Sequence, residues 1–180
     1  LIGDVVALDA SEIESLSGVE KVVRVSREYR VIGRHANDTR DSGFTYNGVR
    51  FDQDSLHVFA GLCAVDNPEN VETMLRALKE NEQICTRMGA YKPRTNPYSF
   101  QGHGANCLPW VFELAGKYGI RVIAMEVTHG SHVREIQQAL EQTGHPTGVM
   151  LQIGTRNTQN FELLKEVGRQ TELPVLLKRG

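Results

Sequence analysis

Residues 149–180 read VMLQIGTRNTQNFELLKEVGRQTELPVLLKRG, and their periodicity changes twice. Val149–Ile153 is a short apolar run, suited to a strand buried on both faces. From Asn157 to Gln170 the apolar residues Phe161, Leu164 and Val167 or Gly168 recur at spacings of three and four, one face of an α-helix. A second short apolar run, Val175–Leu177, follows Pro174. Strand, helix and strand in this order predict two parallel strands joined by a helical crossover.

The same unit repeats upstream. Apolar runs at Leu56–Gly61, Ile84–Ala90 and Arg121–Val127 alternate with helical spacing over Pro68–Glu82, Ala105–Tyr118 and Ser131–Gln142. Pro68 suits a first helical position, with Asp66 or Asn67 as its cap. Five strands with helices between them predict a parallel α/β sheet, either doubly wound or a (β/α)8 barrel. Counting alone does not choose between the two. Ahead of them, Phe44–Phe51 surrounds Asn47-Gly48, a two-residue hairpin turn signal. His35 to Ser42 is a polar connector. The front zone, 1–34, holds a strand end at Leu1-Ile2, a helix around Ser11–Leu16 and a β-branched run, Val22–Val25. Asp9 or Ser11 would cap that helix and Gly18 would stop it. Alone, this zone is too small to hold a core.

Composition sets the class. The chain has 180 residues and a net charge of −2, which gives no reason to expect a nucleic-acid or membrane-surface partner. No apolar run approaches the ~20 residues that span a bilayer, and no secretory signal opens the chain. Three scattered cysteines, Cys63, Cys85 and Cys107, make no disulfide framework, and a reducing cytoplasm is expected.

Parallel α/β sheets carry their active sites at the C-terminal ends of the strands. Those ends hold Cys63, the run Arg87 to Thr95, Glu126, Gly154-Thr155-Arg156-Asn157 and Lys178-Arg179-Gly180. Capping or rim ion pairs would explain any one of these residues. Together they put a thiol, a carboxylate and several cations on one rim, which suits phosphate and carboxylate groups.

Four segments carry a family resemblance. Lys92-Pro93-Arg94-Thr95-Asn96-Pro97-Tyr98-Ser99-Phe100-Gln101-Gly102 resembles the KPRTSPYSFQG segment of the 3-deoxy-D-arabino-heptulosonate 7-phosphate (DAHP) synthases. Gln152 to Phe161 is similar to their QIGARNMQNF, Pro174–Gly180 to their PVLLKRG, and Phe59–Val65 to their AGPCSVE region. The sister octulosonate-phosphate synthases carry an Asn-Arg-Ser type sequence in place of Lys-Pro-Arg-Thr. The resemblance covers essentially the whole chain. It implies a TIM (β/α)8 barrel, with about five of eight strands in residues 56–180. Residues 35–55 would be connector and hairpin, and residues 1–34 the end of a small ferredoxin-like α+β domain.

The resemblance also implies a reaction of the shikimate pathway to aromatic amino acids. C3 of phosphoenolpyruvate attacks the aldehyde of erythrose 4-phosphate, water adds at C2, and phosphate leaves by C–O cleavage. Cys63 would be a ligand to a divalent metal ion (Mn, Fe, Co or Zn), which a thiolate suits. Arg87 and Lys92 would hold the phosphoenolpyruvate carboxylate and phosphate, with Lys92 near the reacting enol. Arg156, with the backbone of Thr155 and of Glu126, would bind the phosphoenolpyruvate phosphate, and Lys178 would complete that pocket. Pro93, Arg94 and Thr95 would face erythrose 4-phosphate. A homodimer or homotetramer is expected, with an aromatic amino acid as effector.

Three departures bear on this expectation. Leu62 stands where the family has Pro, and Met88 where it has Gly. The family's other metal ligands (a His, a Glu and an Asp) and a further phosphate-binding Arg lie on later strands. Read with the family, the chain is expected to be the first part of a longer protein, and residues 1–180 alone not a stable, active monomer. Two alternatives follow: a non-catalytic homologue that keeps the anion site, and a related 3-deoxy sugar-acid synthase. Cys85 and Cys107 read as buried small apolar residues. His129, His132 and Glu135 have helical spacing that metal sites use, but their strand–helix junction favours a rim or surface role. His103 reads as a solvated loop residue and Trp110 as interface or core. Gly102–Gly104 lacks the dinucleotide-binding glycine pattern.

Overall fold

The computed structural model describes residues 8–22 and 43–179. Two compact units divide the chain, 1–42 and 43–180. In the first, helix α1 (Ala10–Glu14) begins at Asp9, whose carboxylate accepts the Ser11 N–H at 3.0 Å. Gly18 takes φ +89° just after the helix, as a stop residue should. The expected strand end at Leu1-Ile2, the rest of the run after Val22 and the polar connector at 35–42 lie outside the described residues.

The second unit opens with an antiparallel hairpin, β1 (Phe44–Tyr46) and β2 (Val49–Phe51), turning on Asn47 (φ 44°) and Gly48 (φ 77°). Both turn residues have the positive φ that the Asn-Gly pair predicts. Four parallel strands follow: β3 (Cys85–Arg87), β4 (Val122–Val127), β5 (Gly148–Ile153) and β6 (Val175–Leu177). Each strand pairs with its sequence neighbour, in the order β3-β4-β5-β6. The connections are α2 (Pro68–Glu80), α3 (Leu108–Lys117), α4 (Gly130–Gln142) and α5 (Phe161–Arg169). The parallel α/β reading is borne out.

Local chemistry sets the helix starts. Asn67 accepts the Asn70 N–H at 2.8 Å with Pro68 in the first turn, and Asn160 accepts the Leu163 N–H at 3.2 Å. The last helix therefore starts at Phe161, after a single turn of 3-10 helix at Thr155–Asn157. Its face Leu163 and Val167 is buried. Each such side chain contributes roughly 1.5–3 kcal/mol of transfer free energy.

One expected strand is not formed. Of Leu56–Gly61 only Ala60 pairs with the sheet, in a single bridge to Thr86. The Ala60 carbonyl receives both the Arg87 N–H at 3.3 Å and the Thr86 hydroxyl at 2.6 Å. The side chain thus shares the acceptor that the ladder would use. Leu56 and Val58 stay exposed. Among the described residues the sheet is an open one of four strands, and no closed barrel forms.

Alternation along the strands sorts two cores. Ile123, Met125 and Val127 of β4 and Val149, Leu151 and Ile153 of β5 pack with the helices. Cys85, Val122 and Met150 face the other way and pack with Val49, Tyr46, Phe51 and Phe59. The hairpin is fixed to the N-terminal end of the sheet. Tyr46 Oη accepts the Val149 N–H at 3.1 Å, and Asn47 Nδ2 donates to the Arg121 carbonyl at 2.8 Å. The C-terminal ends remain for chemistry.

Candidate active site

Period-two alternation decides which rim residues turn away from the helices. Cys85 and Arg87 stand beside Val122 and Ala124, and Glu126 stands beside Gln152. Arg87, Glu126 and Gln152 therefore share the face opposite the helix-packed core. Lys178 lies two residues beyond Leu176, which packs on that face, and its N–H closes on the Ile153 carbonyl at 3.0 Å.

The closest polar association joins two loops. Lys92 is 9 % exposed, and its Nζ donates to the Cys63 carbonyl and lies 3.3 Å from the Cys63 sulfur. The Lys92 hydrogen bond and charge, aided by Arg87 and Arg94, hold the Cys63 thiol below its ordinary pKa. Cys63 is exposed, whereas Cys85 and Cys107 are buried, and burial pushes both thiols up to about 11. The two buried cysteines are core residues, as expected. A reactive thiolate belongs to Cys63 alone among the three.

Glycine makes these approaches possible. A Cβ on Gly89 would lie 2.9 Å from the Cys63 carbonyl oxygen and 3.1 Å from Lys92 Nζ. One on Gly154 would lie 2.0 Å from Glu126 Oε1, so the Glu126 carboxylate rests against the start of the Thr155–Asn157 turn. Thr155 Oγ1 reaches the Lys178 carbonyl at 3.5 Å. Arg156 Nη1 donates to the Pro93 carbonyl at 2.7 Å and so ties the loop after β5 to the Lys-Pro-Arg-Thr segment. Pro93 is half-buried, while Arg94, Thr95, Thr155, Arg156 and Lys178 are exposed.

Sequence reasoning missed part of this rim. Gln152, 4 % exposed, lies in β5 beside Glu126. Its signal was a polar residue inside an otherwise apolar strand. Tyr91 and the junction histidines are also joined to the rim: Tyr91 donates to Glu135 at 2.6 Å and stacks on His132. Met88 departs from the family Gly without crowding the rim, because its side chain is 1 % exposed and packs in the helix-side core. His103 is exposed, and its Nε2 lies 2.6 Å from the Asp66 carbonyl. Trp110 packs, partly buried, against the core.

A metal needs more than Cys63. Among the described residues no group of three or more His, Cys, Asp or Glu side chains converges to hold one. Cys63 fits a metal in donor chemistry, but one thiolate is too few to hold it. Concavities of about 350 Å³ beside Phe44 and Pro174 and about 310 Å³ between α4 and α5 include neither Cys63 nor Lys92. No helix among the described residues is long and apolar enough to cross a membrane.

Known proteins resemble this chain in sequence and in fold. A curated relative, phospho-2-dehydro-3-deoxyheptonate aldolase of Thermotoga maritima, is 37 % identical over 180 residues, 100 % of this chain and 50 % of that protein. The crystal structure of the Thermotoga maritima enzyme, also called DAHP synthase, superposes with a TM-score of 0.71 at 36 % identity. That match covers 99 % of this chain and 49 % of that one. A truncated form of the Thermotoga maritima synthase gives 0.61 at 28 % identity, over 78 % of this chain and 46 % of that one. The chain thus spans about half the length of the relatives it matches. The sequence pattern of the DAHP synthetase I family matches residues 34–180, the stretch that holds every rim residue described above, and the chain belongs to that family.

Proposed function

We propose that a protein carrying this chain condenses phosphoenolpyruvate with erythrose 4-phosphate and water to give DAHP and phosphate. The observation that carries this reading is the buried Lys92 ammonium against Cys63, in a loop that Arg156 ties to the turn after β5. A trianionic enol phosphate needs fixed cations where its carboxylate and phosphate lie, and preorganised charge is worth more there than in water. Arg87 and Lys92 take the carboxylate and phosphate, with Lys92 beside the enol carbon. Arg156 and the backbone of Thr155 and of Glu126 bind the phosphate, Lys178 completes that pocket, and Pro93, Arg94 and Thr95 face the sugar phosphate. Cys63 would supply one thiolate ligand to a divalent ion, and such an ion would polarise the aldehyde when bound. The burial of Met88 counts against a non-catalytic homologue, since the departure leaves the rim open.

The sequential strand order suits a barrel of the (β/α)8 type better than a doubly wound sheet, whose order reverses at a switch point. We assign the zone 1–34 to a ferredoxin-like domain that receives an aromatic amino acid. The protein acts in the cytoplasm as a homodimer or homotetramer. The test measures loss of phosphoenolpyruvate ultraviolet absorbance with erythrose 4-phosphate and each of Mn²⁺, Co²⁺, Fe²⁺ and Zn²⁺. Turnover that chelation abolishes supports the reading. No turnover with any ion, together with no phosphoenolpyruvate binding by calorimetry, overturns it.

A further inference from the structure

Tyr91 stands immediately before Lys92 in the loop that follows β3, is 6 % exposed, and is held by α4. Its ring lies on the His132 imidazole, with centroids 3.6 Å apart and planes 9° apart, and its hydroxyl donates to Glu135 Oε2 at 2.6 Å. His132 and Glu135 are three residues apart and so share one face of α4. The clasp is itself fixed, because His132 Nδ1 accepts the Thr128 N–H at 3.2 Å from the loop that leaves β4. The backbone is fixed on both sides of Tyr91: Gly104 N–H donates to the Ala90 carbonyl and Lys92 N–H to the Gln101 carbonyl, each at 3.0 Å. Tyr91 reaches α4, while Lys92 reaches Cys63 in the loop before α2. Two consecutive side chains therefore hold to two different elements.

We propose that Tyr91 is a positioning residue for Lys92: the His132–Glu135 clasp on its side chain sets the backbone from which Lys92 reaches the Cys63 loop. The consequence for catalysis rests on the function proposed above; the anchoring does not. Core packing alone would be served by any apolar residue at this position and would not require the Glu135 bond.

In the protein that carries this chain, the test compares Tyr91→Phe, Tyr91→Leu, Glu135→Ala and Glu135→Gln with the unaltered protein by two measurements. Hydrogen exchange is read at the amides of Lys92 and Gly104, with Val122–Val127 as the internal standard. Phosphoenolpyruvate affinity is read by calorimetry. Tyr91→Leu and Glu135→Ala should speed exchange at Lys92 and Gly104 about 10-fold or more relative to β4, a local opening rather than a global one. They should weaken phosphoenolpyruvate about 5-fold or more, because a displaced Lys92 loses part of its charge-assisted hydrogen bond to the substrate. Tyr91→Phe keeps the stack but loses the same hydrogen bond as Glu135→Ala, and should match that variant. Glu135→Gln keeps an acceptor and should restore both readings. Unchanged exchange at Lys92, or acceleration equal to that of β4, overturns the anchoring. Wild-type binding with undiminished affinity in Tyr91→Leu overturns its role in the site. Absence of binding by the unaltered protein that carries this chain counts against the function reading alone, and exchange still decides the anchoring.

Discussion

Lys92 Nζ lies 3.3 Å from the Cys63 sulfur, although the two residues belong to different strand–helix connections. The contact puts a cation against a thiol, which favours the thiolate. Removing the cation should therefore reverse the thiol's shift. Iodoacetamide, which reaches exposed Cys63 before buried Cys85 and Cys107, should alkylate the wild type with a rate midpoint at lower pH than Lys92→Gln. Arg94→Ala should move the midpoint the same way by less, since Arg94 is the weaker cause. Identical pH–rate profiles for wild type and Lys92→Gln would refute the contact.

The loop that carries Lys92 depends on Gly102. This residue takes φ +92°, and a Cβ there would lie 2.0 Å from the Ala90 carbonyl oxygen. Gly102→Ala meets both an unfavourable backbone region and a backbone clash. The expected cost is about 2 kcal/mol or more, a fall in Tm of about 4–8 °C for a unit of this size. Gly119 also has a positive φ, but with open space around its Cβ position. Gly119→Ala should therefore cost less than Gly102→Ala. Equal losses in thermal melts would contradict the close approach.

Arg156 and Arg94 should not separate the two substrates cleanly. Arg156 belongs to the proposed phosphoenolpyruvate pocket, yet it donates to the Pro93 carbonyl in the segment that faces erythrose 4-phosphate. Arg156→Ala should therefore raise both Michaelis constants, the phosphoenolpyruvate one by ~10-fold or more, as for a charged hydrogen bond. Arg94→Ala should raise mainly that for erythrose 4-phosphate. If Arg156→Ala left the second constant untouched, the tie to Pro93 would carry no functional weight.

Some of this molecule was legible before its fold was known. The Asn47-Gly48 turn, the Asn67-Pro68 helix start and the strand–helix repeat from Cys85 onward rest on local backbone chemistry and periodicity, which sequence records directly. The strand at Leu56–Gly61 misled because periodicity describes a side chain's preference and not the pairing available to its backbone. Only Ala60 found a partner, at Thr86. The rim residues were readable as strand ends, but their associations were not. Lys92 meets Cys63 across 29 residues and Tyr91 meets Glu135 across 44, and such pairings are decided by packing. His132 and Glu135 attracted notice for a metal-like spacing. Their roles instead follow from the tyrosine between them and Lys92.

That tyrosine also makes His132 a source of pH-dependent stability. Burial against Tyr91 holds the imidazole below its ordinary pKa of 6.5; neighbouring Glu135 opposes this, and His129 adds to it. A histidine with a depressed folded-state pKa binds its proton more readily when unfolded. The unfolded chain therefore gains protons that the folded one lacks as pH falls past 6.5, and stability drops with it. The loss stops growing only below the folded-state value. Protonation would also remove Nδ1 as acceptor for the Thr128 N–H. Glu135 is the other titrating member: burial raises its pKa, but hydrogen bonds from Tyr91 and Ser131 and the two histidines leave it net lowered. Its contribution is present at neutral pH and is lost at more acid pH, below the histidine range. His132→Phe keeps a ring under Tyr91 and removes the titration. Urea unfolding followed from neutral pH down to about pH 5.5 should therefore show a steeper decline for wild type than for His132→Phe, even though the variant starts lower for want of the Thr128 acceptor. Parallel declines would show that His132 is not held neutral by the clasp.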